Sequence, residues 1–296
     1  MSHDLYAKTT ARIVAALERG TAPWVKCWST GIDTLPMNGG TRRPYRGVNV
    51  LLLELEAATS GYALNRWLTY RQAIELGGQV RKGEHGTTVV FWKLRKVEAS
   101  AGGHRDENEP EVHERVIPLL RAYTVFNVAQ IDGLPEPVCA TAQQTWDADA
   151  RAEALLAGSG ARIQHGGSKA YYQPGTDAIQ LPARAAFATA ANYYATALHE
   201  LTHWTGHASR CNRQLGQRFG DDAYAAEELI AEIGSAFLSA HCHIDGQLQH
   251  ASYLSSWLRV LRADTRAIFV ASTKAQQAAD FILNLAKPAE AVALAA

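Results

Sequence analysis

Apolar positions in the first segment fall at near-helical spacing, with Leu5, Ile13, Val14 and Leu17 across residues 4–19 and Gly20 closing the run. That spacing predicts a first helix. Pro23, Trp24 and Trp28 follow in a Gly/Pro/Asn-rich loop that runs to Asn38-Gly39-Gly40. Further helices are predicted over 49–59 and 69–76, the second ended by Gly77-Gly78. The pattern then turns strand-like over 87–94 and 116–127, and the polar stretch 98–111 between them reads as a long hairpin loop. Helices first and strands later predict an α+β arrangement.

Residues 169–182 alternate about a Pro174-Gly175 turn and predict a second hairpin. Residues 190–198 lead into a helix that Trp204-Thr205-Gly206 ends, and another long helix is predicted over 224–241. From 251 to 285 apolar residues return every three or four positions (Leu254, Leu258, Leu261, Ile268, Phe269, Phe281, Ile282, Leu285), which predicts two closing helices. A chain of 296 residues is about twice the usual domain length, so two α+β domains are expected, 1–135 and 136–296.

Composition removes several function classes. With 47% hydrophobic and 20% charged residues the chain can bury a core, which excludes disorder over most of its length. No apolar run approaches the roughly 18–20 residues of a membrane span, the stretch around 48–55 being broken by Asn49, Glu54 and Glu56. Residues 1–10 are polar and carry no targeting pattern. Cys27, Cys139, Cys211 and Cys242 lie far apart without a C-x-x-C pair, which argues against a disulfide scaffold or a thiolate zinc ribbon and for a reducing cytoplasm. The net charge of zero hides an asymmetry. Residues 1–97 hold 14 Lys+Arg against 7 Asp+Glu, a net +7, so the remainder carries −7.

The basic residues of the first half interleave with aromatics, and single-stranded nucleic acid needs both. Cations track the phosphates, while ring faces accept unpaired bases. Trp24, Arg42, Arg43, Tyr45, Arg46, Trp67, Arg81 and Lys82 are the candidate single-stranded-DNA contacts. Arg42, Arg43 and Arg46 stand in a Gly/Pro-flanked loop able to follow a strand. The competing reading places most of these rings in the core and leaves the arginines solvated.

The sharpest chemistry is His199-Glu200-Leu201-Thr202-His203. On a helix, positions i and i+4 share a face, so both imidazoles can reach one ion while Glu200 is positioned to activate a bound water. A hydrolytic site needs a third protein ligand and an open position. His207, further up the same helix, lies too far, and the longer H-E-x-x-H-x-x-G-x-x-H pattern fails at Ser209. The following helix carries Glu227, Glu228 and Glu232. Glu228 and Glu232 share a face, which favours Glu228 as the metal ligand with Glu232 supporting a ligand histidine from behind. Glu232 as the ligand is the alternative, and Glu227 reads as part of a solvated face. Zinc is the expected ion, although manganese, cobalt and iron accept the same donors.

The 169–182 hairpin suits an edge strand that holds an extended substrate by strand addition. Tyr171 or Tyr172 is a candidate oxyanion donor, against packing as the alternative. His241-Cys242-His243 reads as packing or exposure, because adjacent helical residues point about 100° apart. His165, beside Gly166-Gly167, reads as an exposed loop residue.

Tyr45-Arg46-Gly47-Val48-Asn49, Trp67-Leu68-Thr69, Gly77-Gly78-Gln79-Val80-Arg81-Lys82-Gly83-Glu84 and Phe126-Asn127-Val128 together resemble the N-terminal domain of ArdC-type antirestriction proteins. HELTHWTGHASR from His199 and YAAEELIAEIGSAFL from Tyr224 resemble the metallopeptidase-like domain of the same family, and the resemblance covers about residues 23–285. It implies a single-stranded-DNA-binding domain followed by a zincin-like domain, and a role in protecting incoming plasmid DNA from host restriction during conjugation. It places the metal motif on His199, His203 and Glu228, with Glu200 as the catalytic glutamate. Restriction–modification subunits are the expected protein targets, since binding the same DNA raises their effective concentration. Three alternatives stand beside this: occlusion of DNA by a protein with a non-hydrolytic metal, a protease for DNA–protein crosslinks, and a general peptidase.

Overall fold

The computed structural model describes residues 2–22, 24, 35–98, 114–135, 148–213, 215, 222–244 and 253–286. The long hairpin dominates the first half. Strands β4 (Thr87–Glu98) and β5 (Glu114–Asn127) pair antiparallel along their whole length, from Thr87 opposite Val125 to Glu98 opposite Glu114. Most of the expected 98–111 loop lies outside the described residues. Two shorter strands, β1 (Met37–Asn38) and β2 (Arg66–Thr69), complete a sheet in the order β1-β2-β5-β4. Strands β3 (Gln79–Val80) and β6 (Ile131–Asp132) form a separate antiparallel pair.

Three helices flank these strands, as the periodicity predicts: α1 (Ser2–Glu18), α2 (Val48–Ser60) and α3 (Tyr70–Glu75). Thr69 and Gln72 form a capping box that starts α3. Helix α2 is pinned to β4 by one buried side chain. Asn49 donates from Nδ2 to the Val90 carbonyl at 2.7 Å and accepts the Val90 amide on Oδ1 at 2.8 Å, so it satisfies both backbone groups of that residue.

The second half contains α4 (Ala148–Ser159) and strands β7 (Arg162–His165), β8 (Tyr171–Gln173) and β9 (Ala178–Leu181) in the order β7-β9-β8. The expected 169–182 hairpin is β8–β9. Helices α5 (Ala190–Trp204), α6 (Asp222–Cys242), α7 (Leu254–Ala263) and α8 (Ala267–Leu285) follow. Helix α4 and strand β7 escape the periodicity reading because ADARAEALLAGS shows no clear apolar stripe and RIQH has one apolar residue. Among the described residues no helix is long and apolar enough to cross a membrane.

One apolar core runs through both halves, joining Ile13 and Leu17 of α1 and Leu51 of α2 to Trp257, Ile268 and Ile282. Polar ties cross the same seam. The Thr10 hydroxyl donates to the Thr265 carbonyl at 2.7 Å, Arg46 pairs with Asp280, and Arg262 pairs with Glu18. The Gly47 amide, at the start of α2, donates to Gln276 Oε1 at 3.2 Å.

Candidate metal centre

Helix α5 starts where the Thr189 hydroxyl accepts the Asn192 amide at 3.1 Å, and its buried face carries Tyr194, Leu198 and Leu201 into the core. His199 and His203, one turn apart, bring their Nε2 atoms to 3.2 Å from each other. Helix α6 crosses α5 at Gly234, where a Cβ would meet the Thr202 Cγ2 at 2.6 Å. This close crossing places Glu228 over the histidines. Its Oε2 is 3.5 Å from His199 Nε2 and its Oε1 is 3.6 Å from His203 Nε2. One donor atom from each of the three residues lies within 4.8 Å of the others, the geometry of a site able to hold a metal ion.

Each donor has a partner behind it. His203 Nδ1 faces Glu227 Oε1 at 3.2 Å, and His199 Nδ1 faces Glu232 Oε1 at 3.8 Å. The Tyr224 hydroxyl hydrogen-bonds Glu228 and lies 3.4 Å from the Tyr253 hydroxyl. A carboxylate hydrogen-bonded at Nδ1 turns Nε2 toward the site; Glu227 is within that range of His203, whereas Glu232 stands beyond hydrogen-bond distance of His199 Nδ1. Glu227 is held in turn by Arg213, whose Nε and Nη2 donate at 3.0 and 2.8 Å. Arg213 also donates to the Thr202 carbonyl and the Thr205 hydroxyl, both at 2.7 Å. The solvated-face reading of Glu227 is therefore corrected: its side chain is 2% exposed, and it supports His203 while Glu232 faces His199.

The electrostatics fit a divalent cation. Four carboxylates (Glu200, Glu227, Glu228, Glu232) are buried together, and Arg213 is the guanidinium among them. Buried carboxylates need compensating positive charge. Burial raises the pKa values of Glu227 and Glu228, yet the hydrogen bonds to His203 and Arg213, and to His199, outweigh it and bring both below the usual carboxylate range. Burial would lower His199, but the Glu228 hydrogen bond and the charges of Glu232 and Glu200 lift it to about 9. Glu200 is shifted upward, chiefly by burial, with the two histidines opposing. The Tyr172 backbone of β8 opposes that rise slightly, so the hairpin borders the site.

The tyrosine candidates separate. Tyr172 is 9% exposed and its hydroxyl is committed to Asp177 at 2.8 Å and Arg210 at 3.2 Å; burial and Asp177 push it up to about 12. Packing, not oxyanion stabilisation, describes it. Tyr171 is 46% exposed. Tyr224 and Tyr253 are the tyrosines beside Glu228, and neither is singled out in the sequence reading; the i,i+4 spacing of Tyr224 and Glu228 on α6 is the signal that points to the first. His207 turns to Ser209, with Nδ1 at 2.8 Å from the hydroxyl oxygen. Cys242 is fully buried, and that burial pushes its thiol up to about 12. His165 belongs to β7, where its Nε2 lies 3.0 Å from the Tyr193 hydroxyl, so the loop assignment is corrected.

The aromatic DNA candidates also need correction. Trp67 is fully buried, with its Nε1 donating to Asn65 Oδ1 at 2.6 Å. Trp24 packs edge-on against Trp257 at 5.5 Å, and Tyr45 is buried between the 38–45 turn and β4. These rings serve the core and offer no free face to a base. The cations remain at the surface: Arg42, Arg43, Arg46, Arg81 and Lys82 are all exposed. Arg46 is engaged by Asp280, and Arg81 by Glu84 at 2.7 Å and Asp132 at 3.2 Å.

Two families match successive parts of the chain. Residues 3–126 match the N-terminal domain of anti-restriction factor ArdC, and residues 150–274 match a zincin-like metallopeptidase family. The metal-free crystal structure of antirestriction ArdC protein from R388 plasmid is 46% identical, with a TM-score of 0.81, over 96% of this chain and 98% of that one. The Mn(II)-bound structure of R388 ArdC superposes with a TM-score of 0.77 at 44% identity, over 96% of this chain and 99% of that one. An uncharacterized protein, y4eC of Sinorhizobium fredii, is 43% identical over 94% of this chain and 91% of its own length. A DNA primase TraC of Escherichia coli is 42% identical over 94% of this chain, which spans only 27% of that longer protein.

Proposed function

The chain belongs to the ArdC family of antirestriction proteins, and from that premise we propose that it protects incoming plasmid DNA from host restriction during conjugation. In this reading residues 1–135 bind single-stranded DNA, and residues 136–296 form a zinc-dependent peptidase built on His199, His203 and Glu228. The supporting observation is the convergence of those three donors within 4.8 Å beside a buried Glu200. The cytoplasm is the proposed place of action.

A divalent ion held by these side chains supplies Lewis acidity, polarising a peptide carbonyl and acidifying a water. The chain's own residues supply the proton chemistry. Glu200, whose proton affinity burial raises, takes the proton of the attacking water and passes it to the leaving amine. Glu227 keeps the His203 imidazole oriented, and Glu232 faces His199. Strand β8 lies at a sheet edge, where an extended peptide can add as a further strand. Restriction–modification subunits bound to the same DNA are the proposed protein substrates. Manganese or cobalt suits the same donors, and the Mn(II)-bound form of R388 ArdC supports that tolerance.

A plasmid-transfer assay into a restricting host, comparing wild type with Glu200→Ala, tests the reading. Metal content and single-stranded-DNA affinity are measured on both proteins. Loss of protection with both bindings intact is the expected result. Protection that survives would move the function to occlusion of DNA and make the peptidase chemistry dispensable.

A further inference from the structure

With Trp24, Tyr45 and Trp67 in the core, the exposed rings of the first half among the described residues are Tyr70 of α3 and Phe91, Trp92 and Tyr123 of the β4–β5 hairpin, where Phe91 and Tyr123 adjoin. Phe91 stands opposite Arg121 and Val89 opposite Tyr123, so these side chains share one face of the ladder, and Lys93 joins them by alternation. The Phe91 and Tyr123 rings meet edge to face at 5.6 Å and stay 44% and 46% exposed. The buried Tyr45 ring supports Phe91 from 6.4 Å, which brings the 38–45 turn and its exposed Arg43 to the same edge. Arg121 and Lys93 are exposed. Residues 39–46, 87–93 and 119–125 contain no Asp or Glu.

Two adjoining exposed rings framed by cations suit a partner that offers both flat apolar faces and negative charge. Unpaired nucleotides offer both. A duplex hides its base faces in the stack, and an acidic protein surface brings charge without planar groups. We propose that the Phe91–Tyr123 pair is the platform on which this chain stacks unpaired bases, with Arg121 and Lys93 holding the adjoining phosphates. The proposal rests on the reading that the N-terminal half binds single-stranded DNA, and it gives that reading a surface.

The test is fluorescence anisotropy of the full chain with a short labelled oligothymidylate and with an abasic strand of equal length, across a salt series. Replacing both rings, Phe91→Leu with Tyr123→Leu, is expected to weaken oligothymidylate binding roughly tenfold or more per ring without changing the salt slope. Tyr123→Phe keeps the ring and binds as wild type. Arg121→Gln with Lys93→Gln lowers the salt slope by about 0.7 for each cation. The abasic strand binds wild type more weakly and does not distinguish it from the double-leucine variant. Equal binding of oligothymidylate by wild type and the double-leucine variant overturns the platform while the single-stranded-DNA reading stands. A wild type that binds no oligothymidylate overturns both. An abasic strand that loses as much as the base-bearing one assigns the surface to an anionic partner of another kind.

Discussion

Gly234 of α6 packs against Thr202 of α5 so closely that a β-carbon at position 234 would lie 2.6 Å from the Thr202 Cγ2 and 3.1 Å from its Oγ1. Thr202 stands between the two histidines on α5, and Gly234 lies six residues beyond Glu228 on α6. Helix spacing at this contact therefore sets how far the carboxylate stands from the imidazoles. Gly234→Ala should push the helices apart, cost about 1–3 kcal/mol by overpacking, and lower metal affinity in the same protein. Thr202→Ser removes the methyl group that the new β-carbon meets, so the double variant should recover much of both losses. Thermal melts and metal titrations on the four proteins check this. Metal affinity unchanged in Gly234→Ala would refute the link between helix spacing and the site.

Glu227 acts on metal binding through His203 alone. Glu227→Gln keeps the shape but replaces a strong acceptor at Nδ1 with an amide, and metal affinity should fall roughly 10- to 100-fold. Arg213→Met has a different signature. It strands a buried carboxylate, so it should destabilise the fold by about 3–5 kcal/mol, even in metal-free protein. Comparing metal affinity with metal-free stability in the two variants separates the roles. Equal metal affinity in Glu227→Gln and wild type would remove Glu227 from the site.

These two residues also show where reading the chain works and where it stops. His199, Glu200 and His203 are legible because i,i+4 geometry belongs to a single helix. Glu228 and Glu232 are legible because they share a face of the next one. Glu227 sits beside Glu228, and whether it faces inward depends on the crossing at Gly234 and on an arginine from the intervening loop. Neither is local information. The N-terminal aromatics fail for a related reason. Cation–aromatic interleaving along the chain is the same whether a ring points into the core, as Trp67 does, or outward, as Phe91 does. Only strand register tells these apart. Helices α1 to α3 and the long hairpin were legible from periodicity, whereas β1, β3 and β6, two residues each, are too short to carry a period.

The metal-free and metal-loaded proteins should respond to pH in opposite ways. His199 is raised from 6.5 to about 9 in the folded chain. The stability it contributes is therefore complete below 6.5 and is lost as pH rises toward about 9. Glu200, also raised, adds to the same loss, while the lowered Glu227 and Glu228 matter only in acid. Metal requires the imidazole lone pair, so loading displaces the His199 proton and becomes easier as pH rises. The gain in melting temperature on adding Mn(II) should grow steadily from about pH 6 to about pH 9. A gain that is flat across that window would mean that the proton on His199 does not compete with the metal.

Arg46 joins the two halves through Asp280 and directly follows Tyr45, whose ring contacts Phe91 of the proposed base platform. Both partners are substantially solvated, with side chains 60% and 35% exposed, so the pair should contribute under about 1 kcal/mol to stability. Its larger effect is to hold a guanidinium that a phosphate could otherwise use. Asp280→Asn removes that competitor while keeping a side chain of similar size beside Gln276, which also accepts the Gly47 amide. The variant should melt close to wild type, bind single-stranded DNA more tightly at low salt, and show a salt slope steeper by about 0.7. Lower stability with an unchanged slope would mean that Asp280 serves only to fasten α8 to the start of α2. A steeper slope would place Arg46 on the path of the strand, at the seam between the N-terminal half and α8.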